Sequence, residues 1–211
     1  MTGKFVTFEG IDGSGKTTQI DLLETALKQR GISTSILREP GGTRLSEKIR
    51  DILLDHKNMH LSLSAESLLF VAARAQLMEE KIKPALERDK FVICDRFSDS
   101  TIAYQGYGRG LNIEYLEELN NFNTDSIQPD LTFILDIDPE KAALRMSSLA
   151  LDRMESTGIE FYLRVQEGYL EIAHRFPMRC VLIDGSHPES EVFELIMKVV
   201  NKKLLKEMSC S

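Results

Sequence analysis

The fold class this sequence predicts is α/β: three layers, built on a five-stranded parallel sheet with helices on both faces and a short lid. Three observations lead there. Five short apolar runs, at 5–8, 33–37, 91–94, 131–137 and 180–183, alternate with stretches of helical periodicity, the pattern of repeated βαβ units. The first run leads directly into Gly10-Ile11-Asp12-Gly13-Ser14-Gly15-Lys16-Thr17, and a helical stretch begins at once behind it. The chain has 211 residues, 42% hydrophobic and 28% charged, which suits one globular domain large enough to cover a sheet on both faces.

Each element follows from its own pattern. Phe5-Val6-Thr7-Phe8 is the first strand. Ile20, Leu23 and Leu27, with Leu22 and Ala26, carry the first helix, which Gly31 stops. The run at 33–37 is the second strand, and Arg38-Glu39-Pro40-Gly41-Gly42 is a strong loop signal behind it. Leu45, Ile49, Ile52 and Leu53 space as a helix. A long helical stretch covers 64–87, with a break or kink predicted at Pro84. Phe91-Val92-Ile93-Cys94 is a buried strand ending in Asp95. Gly106, Gly108 and Gly110 predict a flexible loop, and 113–122 a helix. The fourth strand lies at 131–137, and Pro139 opens another helix at a favoured N-terminal position. Periodicity is weak over 147–157. A helix at 161–173, the last strand at 180–183 and a closing helix at 189–205 complete the domain, which no repeat or linker divides.

The glycine stretch fits G-x-x-x-x-G-K-[ST] at every fixed position. Glycines at 10, 13 and 15 let successive N–H groups turn inward on phosphate oxygens. Lys16 can reach β- and γ-phosphates, Thr17 offers a hydroxyl to Mg²⁺, and the helix behind adds the positive end of its dipole. Ligands of parallel sheets sit at the carboxyl ends of the strands, which collects Asp12, Glu39, Asp95 and Asp184 at one edge.

Composition narrows the partners. A net charge of −7 argues against a general nucleic-acid or anionic-membrane binder. Cys94, Cys180 and Cys210 are far apart, and the first two stand in apolar strands, so they read as free thiols in a reducing compartment. With neither a signal peptide nor an apolar run near membrane-spanning length, a cytoplasmic protein is expected.

A phosphate loop alone leaves a GTPase, a motor ATPase and a kinase open. The guanine signature N-K-x-D is absent, and the strands ending in Asp95 and Asp136 lack the following Glu of a motor ATPase. Asp95 is followed by Arg96, suited to holding an anion. Arg50, after the Glu39-Pro40-Gly41-Gly42 loop, is a second candidate, since two guanidinium forks match a dianionic monophosphate. Taken singly, each arginine reads better as a solvated surface ion pair, from which Arg96 departs by its place at the ligand-binding edge of the sheet.

At this point the motifs together resemble a family. Phe8-Glu9-Gly10, Arg38-Glu39-Pro40-Gly41-Gly42, Asp95-Arg96-Phe97, and Ala103-Tyr104-Gln105-Gly106 with Gly108-Arg109-Gly110 look like the bacterial thymidylate kinases, over nearly the whole chain. The phosphate loop is generic, whereas E-P-G-G combined with D-R-F-x-x-S-T-x-A-Y-Q-G is much more specific.

The resemblance implies a P-loop kinase fold in a single domain, 1–211, and transfer of the ATP γ-phosphoryl group to dTMP with Mg²⁺. On the donor side it implies Gly10, Ile11, Asp12, Gly13, Ser14, Gly15, Lys16, Thr17 and Thr18. On the acceptor side Arg50 and Arg96 match positions that hold the dTMP phosphate. Phe70 matches the aromatic that stacks on thymine, and Arg74 the arginine that reaches a thymine carbonyl. Thr101 and Gln105 read the remaining base edge, beside Ser100, and Asp12 lies near the sugar 3′-hydroxyl. Asp95 serves Mg²⁺ or its waters with Glu39 as second carboxylate and Thr17 as hydroxyl ligand. Lys16, Asp95, Arg96 and a lid arginine are the catalytic groups. Because the loop carries Asp12 and Ser14 but no arginine, that charge is expected from a lid at about 145–156, with Arg145 and Arg153 on the ATP phosphates. A homodimer is also implied, through helices after the second and third strands. The alternatives are a deoxynucleoside kinase, which needs a carboxylate base after the first strand, and a non-catalytic nucleotide-binding regulator.

Overall fold

The structure is a computed structural model that describes residues 3–146 and 152–205; 147–151, the middle of the anticipated lid, and Cys210 lie outside the described residues. Strands β1 (Lys4–Glu9), β2 (Thr34–Arg38), β3 (Phe91–Asp95), β4 (Leu131–Asp136) and β5 (Cys180–Asp184) form one parallel sheet in the order β2-β3-β1-β4-β5. Its register sets Phe8 opposite Asp95, Glu9 opposite Ile134 and Asp136 opposite Asp184, so the acidic strand ends share one edge.

Helices α1 (Lys16–Gln29), α2 (Arg44–Leu54), α3 (Leu63–Leu77), α4 (Lys83–Glu87), α5 (Ser98–Thr101), α6 (Ile113–Asn123), α7 (Pro139–Met146), α8 (Ile159–Arg175) and α9 (Glu189–Val200) complete the described domain. Side chains alternate along a strand, so β1 sends Val6 and Phe8 to one face and Phe5, Thr7 and Glu9 to the other. On the first face Ile20, Leu23 and Leu27 of α1 and Val192 and Ile196 of α9 bury against Phe8, Phe133 and Leu135. On the second, Leu77, Met78 and Ile82 pack on Phe5, Val92 and Phe97, while Phe161, Val165 and Tyr169 of α8 pack on Tyr104 and Ile134. Burying a large apolar side chain contributes about 1.5–3 kcal/mol, so both faces hold the sheet.

Two expectations need correction. The helix expected over 64–87 is α3 and α4 joined by a π-helical turn, Met78–Ile82, just before Pro84. The break therefore falls upstream of the proline, where the chain underwinds into a wider turn instead of running a regular ladder into a residue without an N–H. Glycines 106 and 108 do not form a flexible loop. They continue α5 as a π-helical segment, Ile102–Gly108, that is mostly buried. A Cβ on Gly108 would lie 2.5 Å from Cε2 of Phe161 and 2.9 Å from Cγ2 of Val165. Gly108 serves close packing against α8 and Gly106 against Ile113 and Leu116 of α6, and only Gly110, with φ 80°, turns the chain.

Candidate active site

The phosphate loop is packed on one side and open on the other. A Cβ would fall 2.5 Å from the Leu135 carbonyl oxygen at Gly10 and 2.6 Å from that of Ala142 at Gly13, but would meet nothing within 4 Å at Gly15. Helix α1 starts at Lys16 without a side-chain cap, leaving its first N–H groups to an anion. Nζ of Lys16 donates to the carbonyls of Gly10, at 3.0 Å, and Ile11, at 2.9 Å. Burial, with the nearby Arg96 charge, lowers its pKa.

The turn after β3 is held in place by buried polar groups. Arg96 has φ 67°, a left-handed value uncommon for a side-chain-bearing residue. Its N–H donates to the Phe8 carbonyl at 2.9 Å, and the N–H of Phe97 donates to Glu9 Oε1 at 2.7 Å. Glu9, fully buried, also accepts from Ser100 Oγ at 2.6 Å and Tyr169 OH at 2.8 Å through Oε2. Burial and the Asp99 charge push its carboxyl up to about 7, against the pull of Ser100, Arg96 and Tyr169. The guanidinium of Arg96 donates to Gly10 O at 2.9 Å and to Asp12 Oδ1 at 2.6 Å, and lies 4.9 Å above the Tyr104 ring. Burial alone would raise the Asp12 carboxyl, but Arg96 and Lys16 hold it down at about 2.

Every residue assigned to the acceptor side lines one cavity: Asp12, Glu39, Arg50, Phe70, Arg74, Arg96, Ser100, Thr101 and Gln105. Pro40, Leu54, Tyr104, Asp152 and Met154 complete its wall. Arg74, only 2% exposed, is its internal strut. It donates to Glu39 Oε2 at 2.7 Å, Asn120 Oδ1 at 2.6 Å, Thr101 Oγ1 at 2.9 Å and the Phe97 carbonyl at 3.0 Å. Arg50 reaches the wall by donating to the Pro40 carbonyl at 2.9 Å, and Glu47 ties the loop by accepting from Gly42 N–H at 2.6 Å and from Arg38.

A second cavity opens over the phosphate loop, lined by Gly13, Gly15, Lys16, Thr17, Thr18, Asp95 and Arg145, and it shares Asp12, Glu39, Arg50 and Arg96 with the first. Gly10, Ile11 and Ser14 belong to the same loop without lining it. Arg145 donates to the carbonyls of Gly13, at 3.2 Å, and Gly185, at 3.1 Å, and so lies against the loop. Arg153 does not. It is 4% exposed, donating to Glu66 Oε2 at 2.7 Å and to the Leu53 carbonyl at 2.6 Å, and lines neither cavity. In this structure a buried ion pair with Glu66 holds it beneath the acceptor cavity, away from the phosphate loop.

Two buried carboxylate oxygens, Glu39 Oε1 and Asp95 Oδ1, have no hydrogen-bond partner, and both residues line the loop cavity beside Thr17. Burial raises the Glu39 carboxyl to about 7 against the opposing charge of Arg74. Such orphaned oxygens fit a hard cation that takes oxygen ligands. Among the described residues no group of three or more His, Cys, Asp or Glu could hold a metal alone, so phosphate and water oxygens must complete any such sphere.

Sequence reasoning missed several residues here. Glu9 and Tyr104 stand inside the motifs, yet nothing in the pattern assigned them contacts. Glu66, 1% exposed in α3, accepts from Gln105, Arg109 and Arg153. Tyr169 reaches Glu9 from a helix 160 positions away. Neither has a local signal.

Comparison with known proteins places the chain in a family. The family model described as thymidylate kinase matches residues 8–196. A thymidylate kinase of Thermoanaerobacter sp. strain X514 is 50% identical over 204 residues, 97% of this chain and 100% of that protein. One from Caldanaerobacter subterraneus subsp. tengcongensis is 48% identical over 204 residues, 97% and 98% of the two chains. The crystal structure of thymidylate kinase from Ehrlichia chaffeensis superposes with a TM-score of 0.77 at 41% identity, covering 94% of this chain and 98% of that one.

Proposed function

The chain belongs to the thymidylate kinase family, and from that premise we propose that it phosphorylates dTMP to dTDP by in-line transfer of the ATP γ-phosphoryl group. The observation that carries this reading is the pair of cavities sharing Asp12, Glu39, Arg50 and Arg96. A triphosphate on the loop and a monophosphate among the arginines would meet at that shared wall. A dTMP phosphate oxygen bonds to the γ-phosphorus, the bond from that phosphorus to the β–γ bridging oxygen breaks, and ADP leaves with the electron pair.

No general base is needed, because the attacking group is already an anion. Positioning and charge compensation do the catalysis. Lys16 reaches the transferred group once its donors leave the Gly10 and Ile11 carbonyls. Arg96 and Arg50 hold the acceptor phosphate. Arg145, beside Gly13, supplies the further donor-side charge. Phe70 stacks on thymine, Arg74 and Thr101 face its carbonyl edge, Gln105 meets N3, and Asp12 and Ser100 border the sugar. Thr17, Asp95 and Glu39 hold Mg²⁺, directly or through water, and when bound it neutralises the β- and γ-phosphate oxygens.

The deoxynucleoside kinase alternative needs a free carboxylate beside an uncharged hydroxyl. Glu9 has both oxygens occupied and lines neither cavity, and Asp12 is paired with Arg96. The regulator alternative leaves the acceptor-side arginines without a use. A homodimer through helices after the second and third strands suits the exposed Leu45, Ile52 and Leu68 of α2 and α3 and Tyr115 and Phe122 of α6, and sedimentation equilibrium tests it. Buried free thiols at Cys94 and Cys180 suit the cytoplasm; among the described residues no helix is long and apolar enough to cross a membrane. The deciding experiment is ADP release with ATP–Mg²⁺ across dTMP, dUMP, dCMP, dGMP and thymidine. Turnover of thymidine but not dTMP, or ATP binding without turnover, sinks the proposal.

A further inference from the structure

We propose that Glu66 is a specificity-determining positioning residue: it turns the Gln105 amide so that the carbonyl oxygen faces the acceptor base, admitting a pyrimidine that carries a proton on N3 and rejecting one that does not. The inference rests on the dTMP reading above and goes beyond it to how one pyrimidine is told from another.

A glutamine amide is nearly symmetric in shape, so packing alone does not decide which end faces a cavity. The polarity of its neighbour does. Gln105 is 2% exposed and lines the acceptor cavity, and its Nε2 donates to Glu66 Oε1 at 3.2 Å. Glu66 also takes Arg109 Nε at 3.3 Å on Oε1, and on Oε2 Arg153 Nη2 at 2.7 Å and Arg109 Nη2 at 3.4 Å. A carboxylate bracketed by two guanidinium groups accepts and has no proton to give. Gln105 must therefore spend its NH₂ on Glu66, which leaves Oε1 for the cavity.

Arg74 lines the same wall; Nε, both hydrogens of Nη2 and one of Nη1 are engaged by Glu39, the Phe97 carbonyl, Thr101 Oγ1 and Asn120, which leaves one N–H on Nη1. The cavity thus offers an acceptor from Gln105 beside one donor from Arg74. Thymine and uracil match it with N3–H and a carbonyl at C4. Cytosine brings a lone pair at N3 and an amine at C4, so acceptor meets acceptor and donor meets donor. Sites built to pair a polar group reject analogues that leave it unpaired far more strongly than apolar pockets reject size changes. Glu66 touches no part of the base in this arrangement. It acts through Gln105.

The test is kcat/KM for dTMP and for dCMP, with melting temperatures, in the wild type, Glu66→Gln and the exchange variant Glu66→Gln/Gln105→Glu. An amide at position 66 can either donate or accept, so Gln105 is free to show its NH₂ to the base. The dTMP-to-dCMP ratio is expected to fall by about tenfold or more in Glu66→Gln, mostly through KM. In the exchange variant the amide at 66 donates to the new carboxylate, whose other oxygen faces the base. Its ratio is expected to return to within about threefold of wild type. A folded Glu66→Gln that keeps the wild-type ratio overturns the inference. Should Glu66→Gln fail to fold, the exchange variant decides: a retained ratio supports the inference, and a collapsed one overturns it. A wild type that turns over no dTMP overturns the proposed function and this inference with it. Turnover of dTMP with an unmoved ratio overturns this inference alone.

Discussion

Arg74→Met is the most exacting test of how the acceptor cavity is held. The substitution keeps an unbranched, flexible stem and removes donors from Glu39 Oε2, Asn120 Oδ1, Thr101 Oγ1 and the Phe97 carbonyl, in a place that is 2% exposed. Glu39 Oε1 is already without a partner, so the variant leaves the whole carboxylate buried and alone. Breaking a buried pair from one side costs about 3–5 kcal/mol. For a domain of this size that is a melting-temperature loss of about 6–20 °C.

The loss depends on pH in a defined direction. The Glu39 carboxyl sits at about 7 in the folded chain against 4.5 in its ordinary state, pushed up by burial and only partly drawn back by Arg74. A group raised on folding contributes its full stability below the lower value and loses it as pH rises through the higher one. Without Arg74 the carboxyl rises further: at pH 5.5 it is protonated with or without Arg74, whereas at pH 8 the variant must keep it protonated in the fold or bury its charge without a partner. The deficit of Arg74→Met is therefore larger at pH 8 than at pH 5.5, by up to about 1.4 kcal/mol, the one unit between the Glu39 value and pH 8. Thermal melts at the two pH values measure it, and KM for dTMP is expected to rise about 10- to 100-fold from the lost charged hydrogen bonds. In the double variant Glu39→Leu/Arg74→Met, removal of both partners is expected to recover at least half of the stability loss, near half being the lower limit set by the other lost bonds. A melting loss below about 3 °C at pH 8, or equal losses at both pH values, refutes the reasoning.

Three further perturbations probe other parts of the site. Glu9 is likewise raised to about 7 by burial and the Asp99 charge; its contribution falls as pH rises from 6 to 8, by about 1.4 kcal/mol, and urea unfolding of Glu9→Gln should show a correspondingly flatter pH dependence. An unchanged pH slope counts against it. Gly108→Ala puts a methyl 2.5 Å from Phe161 Cε2 and should destabilise by about 1–3 kcal/mol, with Phe161→Leu restoring part of it; a neutral result contradicts the packing role. Arg145→Ala should raise KM for ATP about tenfold with little change in melting temperature, whereas Arg153→Ala, which leaves Glu66 short of a partner, should cost about 1–3 kcal/mol of stability. The opposite assignment in steady-state kinetics and melts would return Arg153 to the donor side.

Much of the frame was legible because its causes are local. The phosphate loop needs glycines, a lysine and a hydroxyl in consecutive places, and β1 and α1 flank it with their own periodicities. The acceptor side was legible through motif resemblance, and its members from Asp12 to Gln105 fall on one cavity. Tertiary structure alone decided the rest. Gly108 looks like a loop residue in one dimension and is a packing contact in three, because what it meets is α8, more than fifty positions away. Arg153 carries the same charge wherever it sits; only the fold shows that Glu66 and the Leu53 carbonyl hold it under the acceptor cavity while Arg145 lies on the loop. The strand alternation that turns Glu9 inward is written in the sequence, but the partners that occupy it, Phe97 N–H, Ser100 and Tyr169, arrive from a strained turn and a distant helix. Local patterns settle what a short stretch must form. Which buried charges pair is settled only by where the chain brings them together, since an ion pair depends on distance in space and leaves no period in the sequence.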